Sequence, residues 1–87
     1  MTDYNQRRRS SLLASLAFAP GGAATVRELR SELETVHNIP ASADLVRGDL
    51  TWLHEQGLAR YGMHDDAQIT ERGRDVSRRT APWPGSV

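Results

Sequence analysis

The chain contains no cysteine and no lysine. Without thiols there is no disulfide, no thiolate metal site and no cysteine nucleophile. The same absence fits a reducing compartment, and a cytoplasmic location is expected. Long apolar runs are missing too. The stretch Leu12 to Ala19 is short and interrupted by Ser15, well below the roughly 20 residues that span a bilayer. It reads as an amphipathic helix and not as the core of a signal peptide. No membrane partner is therefore expected. Catalytic signatures are also lacking: there is no His-Glu-x-x-His run, no glycine-rich phosphate loop and no Ser/His/Asp grouping. The expectation is a protein that is not an enzyme and carries no cofactor.

What is present bounds the rest. The 87 residues suffice for one small domain, expected over 1–80, followed by a flexible Pro/Trp-containing tail over 81–87. Eleven arginines balance 11 acidic residues. Arginine forks suit phosphate and carboxylate equally, so distribution matters more than the sum. Arg7 to Arg9 form one cluster, and Arg72, Arg74, Arg78 and Arg79 another. A zero net charge argues against tight nonspecific DNA binding, which rests on clustered positive charge.

Helix signals follow in order. A first helix is expected from about Tyr4 to Ala17, with Leu12, Leu13 and Leu16 buried and Phe18 closing that stripe. Thr2 or Asp3 can cap it, and Pro20-Gly21-Gly22 stops it. Thr25-Val-Arg-Glu28 is a capping box that opens a second helix. There Val26, Leu29, Leu33 and Val36 recur on one helical face, and Asn38-Ile39-Pro40 ends the helix and makes a turn. The third helix starts at Ser42 as N-cap. Ala43, Val46, Leu50 and Leu53 share its buried face, with Leu45 and Trp52 beside it, and Gly57 supplies the left-handed stop. Leu58 to Met63 reads as a strand, His64 to Ala67 as a turn, and Gln68-Ile69 as the start of a returning strand. Thr70-Glu-Arg-Gly73 opens a fourth helix running to about Arg79. Prolines on both sides of Trp83 end any helix there. Trp83 is then either a packing lid or an exposed docking residue, in a tail expected to be disordered or loosely packed.

This order is mainly α within the α+β class: a three-helix core, a two-stranded β-wing and a C-terminal helix, the order of a winged helix-turn-helix. At Val46-Arg-Gly-Asp-Leu-Thr-Trp-Leu-His-Glu-Gln-Gly-Leu58 and Ile69-Thr-Glu-Arg-Gly73 the chain resembles bacterial winged-helix regulators. More narrowly, it looks like the small ArsR-like proteins of Mu-like phages and prophages, over roughly residues 5 to 80. The resemblance implies a DNA-binding transcriptional regulator, expected to act on double-stranded DNA as a homodimer. Thiolate metal sensing is excluded by the lack of cysteine, and His37, His54 and His64 fall on three separate elements, so no metal ligands are expected. A fold of this size also implies little concave volume for a substrate.

The candidate DNA contacts follow from that order. Arg47, Thr51 and His54 project opposite the Val46/Leu50/Leu53 stripe. On a recognition helix, Arg can take guanine bidentately and Thr can touch a thymine methyl or a phosphate. Leu50 and Leu53 are expected in the core, and Arg47 and Thr51 outside it. Ser42 at the helix start, Arg27 and Arg30 on the second helix, and Arg60 and His64 flanking the wing complete the set, as phosphate or minor-groove contacts. Asp65 and Asp66 at the wing tip oppose phosphate. As a metal site the pair lacks a third ligand nearby and reads as a solvated turn.

Other features pull away from DNA. Counting Asp44, Arg47, Asp49 and Glu55, the third helix is net negative, and Gly48 interrupts it at a cost of about 1 kcal/mol relative to alanine. This charge favours an alternative reading: a non-enzymatic protein–protein adaptor in phage assembly or DNA packaging, partnered by a phage protein. Asp49 faces the buried side and needs a partner, either an arginine or backbone amides of a neighbouring helix start. Arg7 to Arg9 on the first helix are open to backbone phosphate, to a partner or to neither, and as a charge run they read first as a solvated helix face.

Overall fold

Helix α1 (Tyr4–Phe18) places Leu12, Leu13 and Leu16 inside the molecule. The computed structural model describes residues 4–79 and 81–84. The candidate caps Thr2 and Asp3 lie outside the described residues, as do the last three residues of the tail. A turn of 3-10 helix at Pro20–Gly22 leads into strand β1 (Ala23–Thr25) and helix α2 (Val26–Thr35). Helix α3 (Ala43–Glu55), strands β2 (Ala59–Tyr61) and β3 (Asp66–Ile69) and helix α4 (Glu71–Ser77) complete the order. The described residues thus form an α+β fold of four α-helices and a small antiparallel sheet, 60% helical.

The local chemistry sets the helix boundaries. Thr25 accepts the Glu28 amide at 3.1 Å while Glu28 accepts the Thr25 amide at 2.9 Å, a closed capping box. Ser42 accepts the Leu45 amide at 3.1 Å, and Thr70 accepts the Gly73 amide at 3.0 Å. Two helices end alike. Asn38 (φ 56°) and Gly57 (φ 75°) are left-handed. The next residue, Ile39 or Leu58, then sends its amide back to Leu33 or Leu53 and buries its side chain.

Leu12, Leu16, Leu33, Val46, Leu50, Leu53 and Leu58 are fully buried and pack as one core. Each contributes about 1.5–3 kcal/mol by leaving water, the main driving force in so small a domain. Arg47 and Thr51 are exposed while Leu50 and Leu53 are buried, so the register of α3 is the one its spacing predicts.

The sheet has the order β1-β3-β2, so a third strand joins the expected hairpin. In β3, Gln68 pairs with Arg60 on one side and with Ala23 on the other. The hairpin turn also falls two residues earlier than expected, over 62–65 in place of His64 to Ala67. Its strand is Ala59–Tyr61, Met63 lies 96% exposed in the turn, and pairing resumes already at Asp66. Helix α4 ends at Ser77, with Arg78 as its C-cap.

Two apolar expectations need correction. Phe18 is 91% exposed, because a residue two positions past Leu16 lies nearly on the opposite side of the helix. Val36 is 66% exposed, because α2 ends at Thr35 and the helical face ends with it.

A buried charge cluster joins α1 to α3. Asp49 is 1% exposed and Arg8 is 8% exposed. Arg8 donates through Nε and Nη2 to the two Asp49 oxygens, the Nη2 bond being 2.9 Å. Arg9 donates to Asp49 Oδ1 at 3.0 Å. The need of Asp49 for a partner is thus met by arginine. The reading of Arg7 to Arg9 as a solvated face is wrong for Arg8, which turns inward. Arg9 also lies over the Trp52 ring at 4.5 Å, and Trp52 stacks on Trp83 with centroids 5.7 Å apart. Of its two readings, Trp83 takes the packing role: it is half-buried and packs against the core.

Candidate nucleic-acid interface

The exposed face of α3 runs through Asp44, Arg47, Thr51 and His54. Helix periodicity puts these residues outside because the apolar set claims the other side. Beside this face lie the start of α2 and the turn between β2 and β3. Together they form a groove of about 360 Å³ whose lining includes Arg27, Arg30, Arg47, His64 and Asp65. Four of the residues singled out from the sequence therefore meet at one place.

Arg47 is the centre of the groove, and it is occupied. Its Nε donates to both oxygens of Asp65 at 3.1 Å, and Nη2 donates to Asp65 Oδ2 at 2.7 Å. Nη1 donates to Asp44 Oδ1 at 3.1 Å. On its other side, Asp65 accepts the Tyr61 hydroxyl at 2.8 Å. The hydrogen bonds from Arg47, and then the one from Tyr61, hold the Asp65 carboxyl below the usual carboxylate range. The Asp65 pairing raises the Arg47 pKa further above its ordinary value. Partial burial, followed by the bond to Asp65, pushes the Tyr61 phenol up. Asp65, expected in a solvated turn, is thus the partner of Arg47.

The remaining candidates are placed as follows. The Ser42 hydroxyl is engaged in its cap. Thr51 is exposed and bonds back to the Arg47 carbonyl at 2.9 Å. His54 is exposed, and its Nδ1 accepts the Tyr61 amide at 3.4 Å. Arg30 donates Nε to the Ala41 carbonyl at 3.1 Å, tying α2 to the turn before α3. Arg27 and His64 are exposed at the groove. Arg60 is apart: it lies on the outer face of the sheet beside Gln68 and Asp66, in a different depression. The structure therefore does not bring Arg60 to the groove of Arg47.

Asp49 is in the core, so it adds nothing to the surface charge of α3. The expectation of little concave volume also needs correction. A groove of about 800 Å³ lies between α1, the end of α4 and the tail, with Leu13, Val76 and Trp83 in its wall. Among the described residues no group of three or more His, Asp or Glu stands together as a metal site, and no helix is long and apolar enough to cross a membrane. No family model, curated protein or solved structure matches the chain.

Proposed function

We propose that the protein is a winged helix-turn-helix protein of phage or prophage type that binds double-stranded DNA as a cytoplasmic transcriptional regulator. The observation that carries this reading is the convergence of Arg27, Arg30, Arg47 and His64 on one groove between α2, α3 and the hairpin turn. The element order and the β1-β3-β2 sheet agree with it, as does the resemblance to ArsR-like proteins of Mu-like phages. In this mechanism α3 enters the major groove. Arg47 then reads a base and Thr51 and His54 contact edges or phosphates, while Arg27 and Arg30 grip the backbone. Arg60 meets phosphate from the outer face of the hairpin. As a homodimer the protein presents two copies of α3 to half-sites one turn apart.

The adaptor reading is kept because of one observation: the guanidinium of Arg47 is already paired with two carboxylates of its own chain, Asp65 and Asp44. A titration of the full chain against genomic duplex fragments at two salt concentrations separates the readings. The regulator reading requires binding that weakens steeply with salt, because phosphate contacts release counterions. Arg47→Ala then relaxes sequence preference, at about 1–3 kcal/mol for one base position, and Arg60→Ala weakens all sequences alike. No binding at low salt rejects the regulator and leaves the adaptor, a non-enzymatic module docking a phage protein.

A further inference from the structure

We propose that Asp65 is an internal competitor for DNA, a carboxylate that occupies the reading edge of Arg47 until a duplex acceptor displaces it. This rests on the DNA-binding reading and names the residue that sets its threshold. The edge formed by Nε and Nη2 is one of two that present parallel donors to a planar pair of acceptors, and on the other, Nη1–Nη2, the Nη1 donor is held by Asp44 at 3.1 Å. In this structure Nε and Nη2 both point at Asp65, with contacts of 2.7–3.1 Å. A guanine edge or a phosphate can take the same two donors. Arg47 can serve Asp65 or DNA through that edge, but not both.

The carboxylate is held ready for this role. The Tyr61 hydroxyl orients it at 2.8 Å. The backbone at Asp65 is left-handed, with φ 57°, a conformation that Asp and Asn tolerate better than other side chains. Its carbonyl accepts the Val26 amide at 2.8 Å, which fastens the turn to the first residue of α2. Three elements therefore fix the position of one carboxylate against one guanidinium.

The pair is also placed to exchange. The Arg47 and Asp65 side chains are 44% and 43% exposed, whereas those of Arg8 and Asp49 are 9% and 2% exposed. An ion pair open to water on this scale contributes little net stability and is easily replaced. The Arg8–Asp49 pair is structural, and the Arg47–Asp65 pair is exchangeable. A ligand offering one stray phosphate gains little by displacing Asp65. A duplex that offers the full acceptor pair, with Arg27 and Arg30 on its backbone, gains enough. Asp65 thereby suppresses nonspecific binding and sharpens selection.

The test measures fluorescence anisotropy of a mixed-sequence duplex titrated with the full chain, at low and at moderate salt. The variants are Asp65→Asn, Asp66→Asn, Asp65→Asn with Arg47→Ala, and Tyr61→Phe. Asparagine keeps the left-handed turn and an acceptor for Tyr61 but loses the charge. Asp66→Asn removes the same charge one position away, on a residue that makes no ion pair with Arg47 among the described residues. The expected result is binding tightened about three- to fivefold by Asp65→Asn and less than about twofold by Asp66→Asn. The gain disappears when Arg47→Ala is added. Tyr61→Phe moves affinity the same way by a smaller factor, and this holds even if Asp65→Asn folds poorly. If the unaltered chain binds DNA and Asp65→Asn binds no tighter than Asp66→Asn, the competitor role is overturned and the DNA reading stands. If neither the unaltered chain nor any variant binds at low salt, both are overturned.

Discussion

Arg8 on α1 and Asp49 on α3 stand 41 positions apart in the chain and form a buried, two-pronged guanidinium–carboxylate pair. Arg9 adds a second cation to the same carboxylate, and its guanidinium covers Trp52. The cluster sets how α1 lies on α3. The face of α3 left to solvent follows from its own apolar stripe, and the cluster holds α1 against the opposite, buried side.

Breaking that pair on one side is expected to be costly. Asp49→Ala leaves Arg8 buried without its carboxylate and should destabilise the domain by roughly 3–5 kcal/mol. Replacing both partners, Arg8→Met with Asp49→Leu, should recover most of the loss, because the buried guanidinium leaves with its carboxylate, while Arg9, 23% exposed, keeps access to water and the Trp52 ring. Urea denaturation of the single and double variants checks this. A single variant within about 1 kcal/mol of the parent would show that the pair is not the anchor its burial implies.

Gly73 should tolerate no side chain. A Cβ at this position would meet the Leu58 carbonyl oxygen at 2.0 Å and the Ile69 side chain at 2.8 Å. Since backbone cannot yield as a flexible side chain does, Gly73→Ala should cost at least the roughly 1–3 kcal/mol typical of overpacking. Gly48→Ala provides the contrast, as open space surrounds its Cβ position. It should stabilise by up to about 1 kcal/mol through helix propensity. Thermal melts of the two variants should move in opposite directions.

Thr25→Ala and Ser42→Ala should each destabilise by about 1 kcal/mol, as each removes the hydroxyl that satisfies a first-turn amide. Denaturant midpoints are the measurement. Midpoints equal to the parent's in both variants would mean that these caps do not hold the starts of α2 and α3.

Acid should weaken the contacts around the hairpin turn. Asp65 is held below its ordinary value of 3.8 by Arg47 and then by Tyr61. Glu28 is held below 4.5 by the Thr25 amide and then by the Thr25 side chain. A carboxyl with a lower pKa folded than unfolded binds its proton more readily in the unfolded chain. The stability it contributes is complete above the unfolded value and is lost as pH falls through the folded one. Melting temperature should therefore decline as pH falls below the ordinary carboxylate range, and Asp65→Asn should flatten the decline. A decline equally steep in that variant would place the acid sensitivity elsewhere.

Much of the fold was legible because its signals are short-range. The Thr25–Glu28 box, the Ser42 cap, the stop at Gly57 and the apolar stripe of α3 all act across three to five positions, within one turn of helix. Local geometry and side-chain chemistry determine them wherever the segment lies. The demand of Asp49 for a partner was legible for the same reason, since its place on the buried side follows from helical spacing. The identity of that partner was not. Arg7, Arg8 and Arg9 look alike as a run, and only the docking of α1 decides that Arg8 turns inward.

The same holds for strand β1, since Ala23–Thr25 has little strand character of its own and exists as a partner for β3. The exposure of Phe18 and Val36 is not legible locally, because hydrophobicity alone does not say where a helical face ends. At the candidate site, local spacing was enough to place Arg47 on the outer face of α3. Its pairing with Asp65, 18 positions away, arises only when the hairpin turn comes to rest against the start of α2. The sequence by itself determined the helices, their caps and the two faces of α3, since those follow from interactions within a turn. Tertiary structure alone decided which charges meet across elements, because Asp49 and Asp65 find their arginines by position in space, and no local pattern encodes that position.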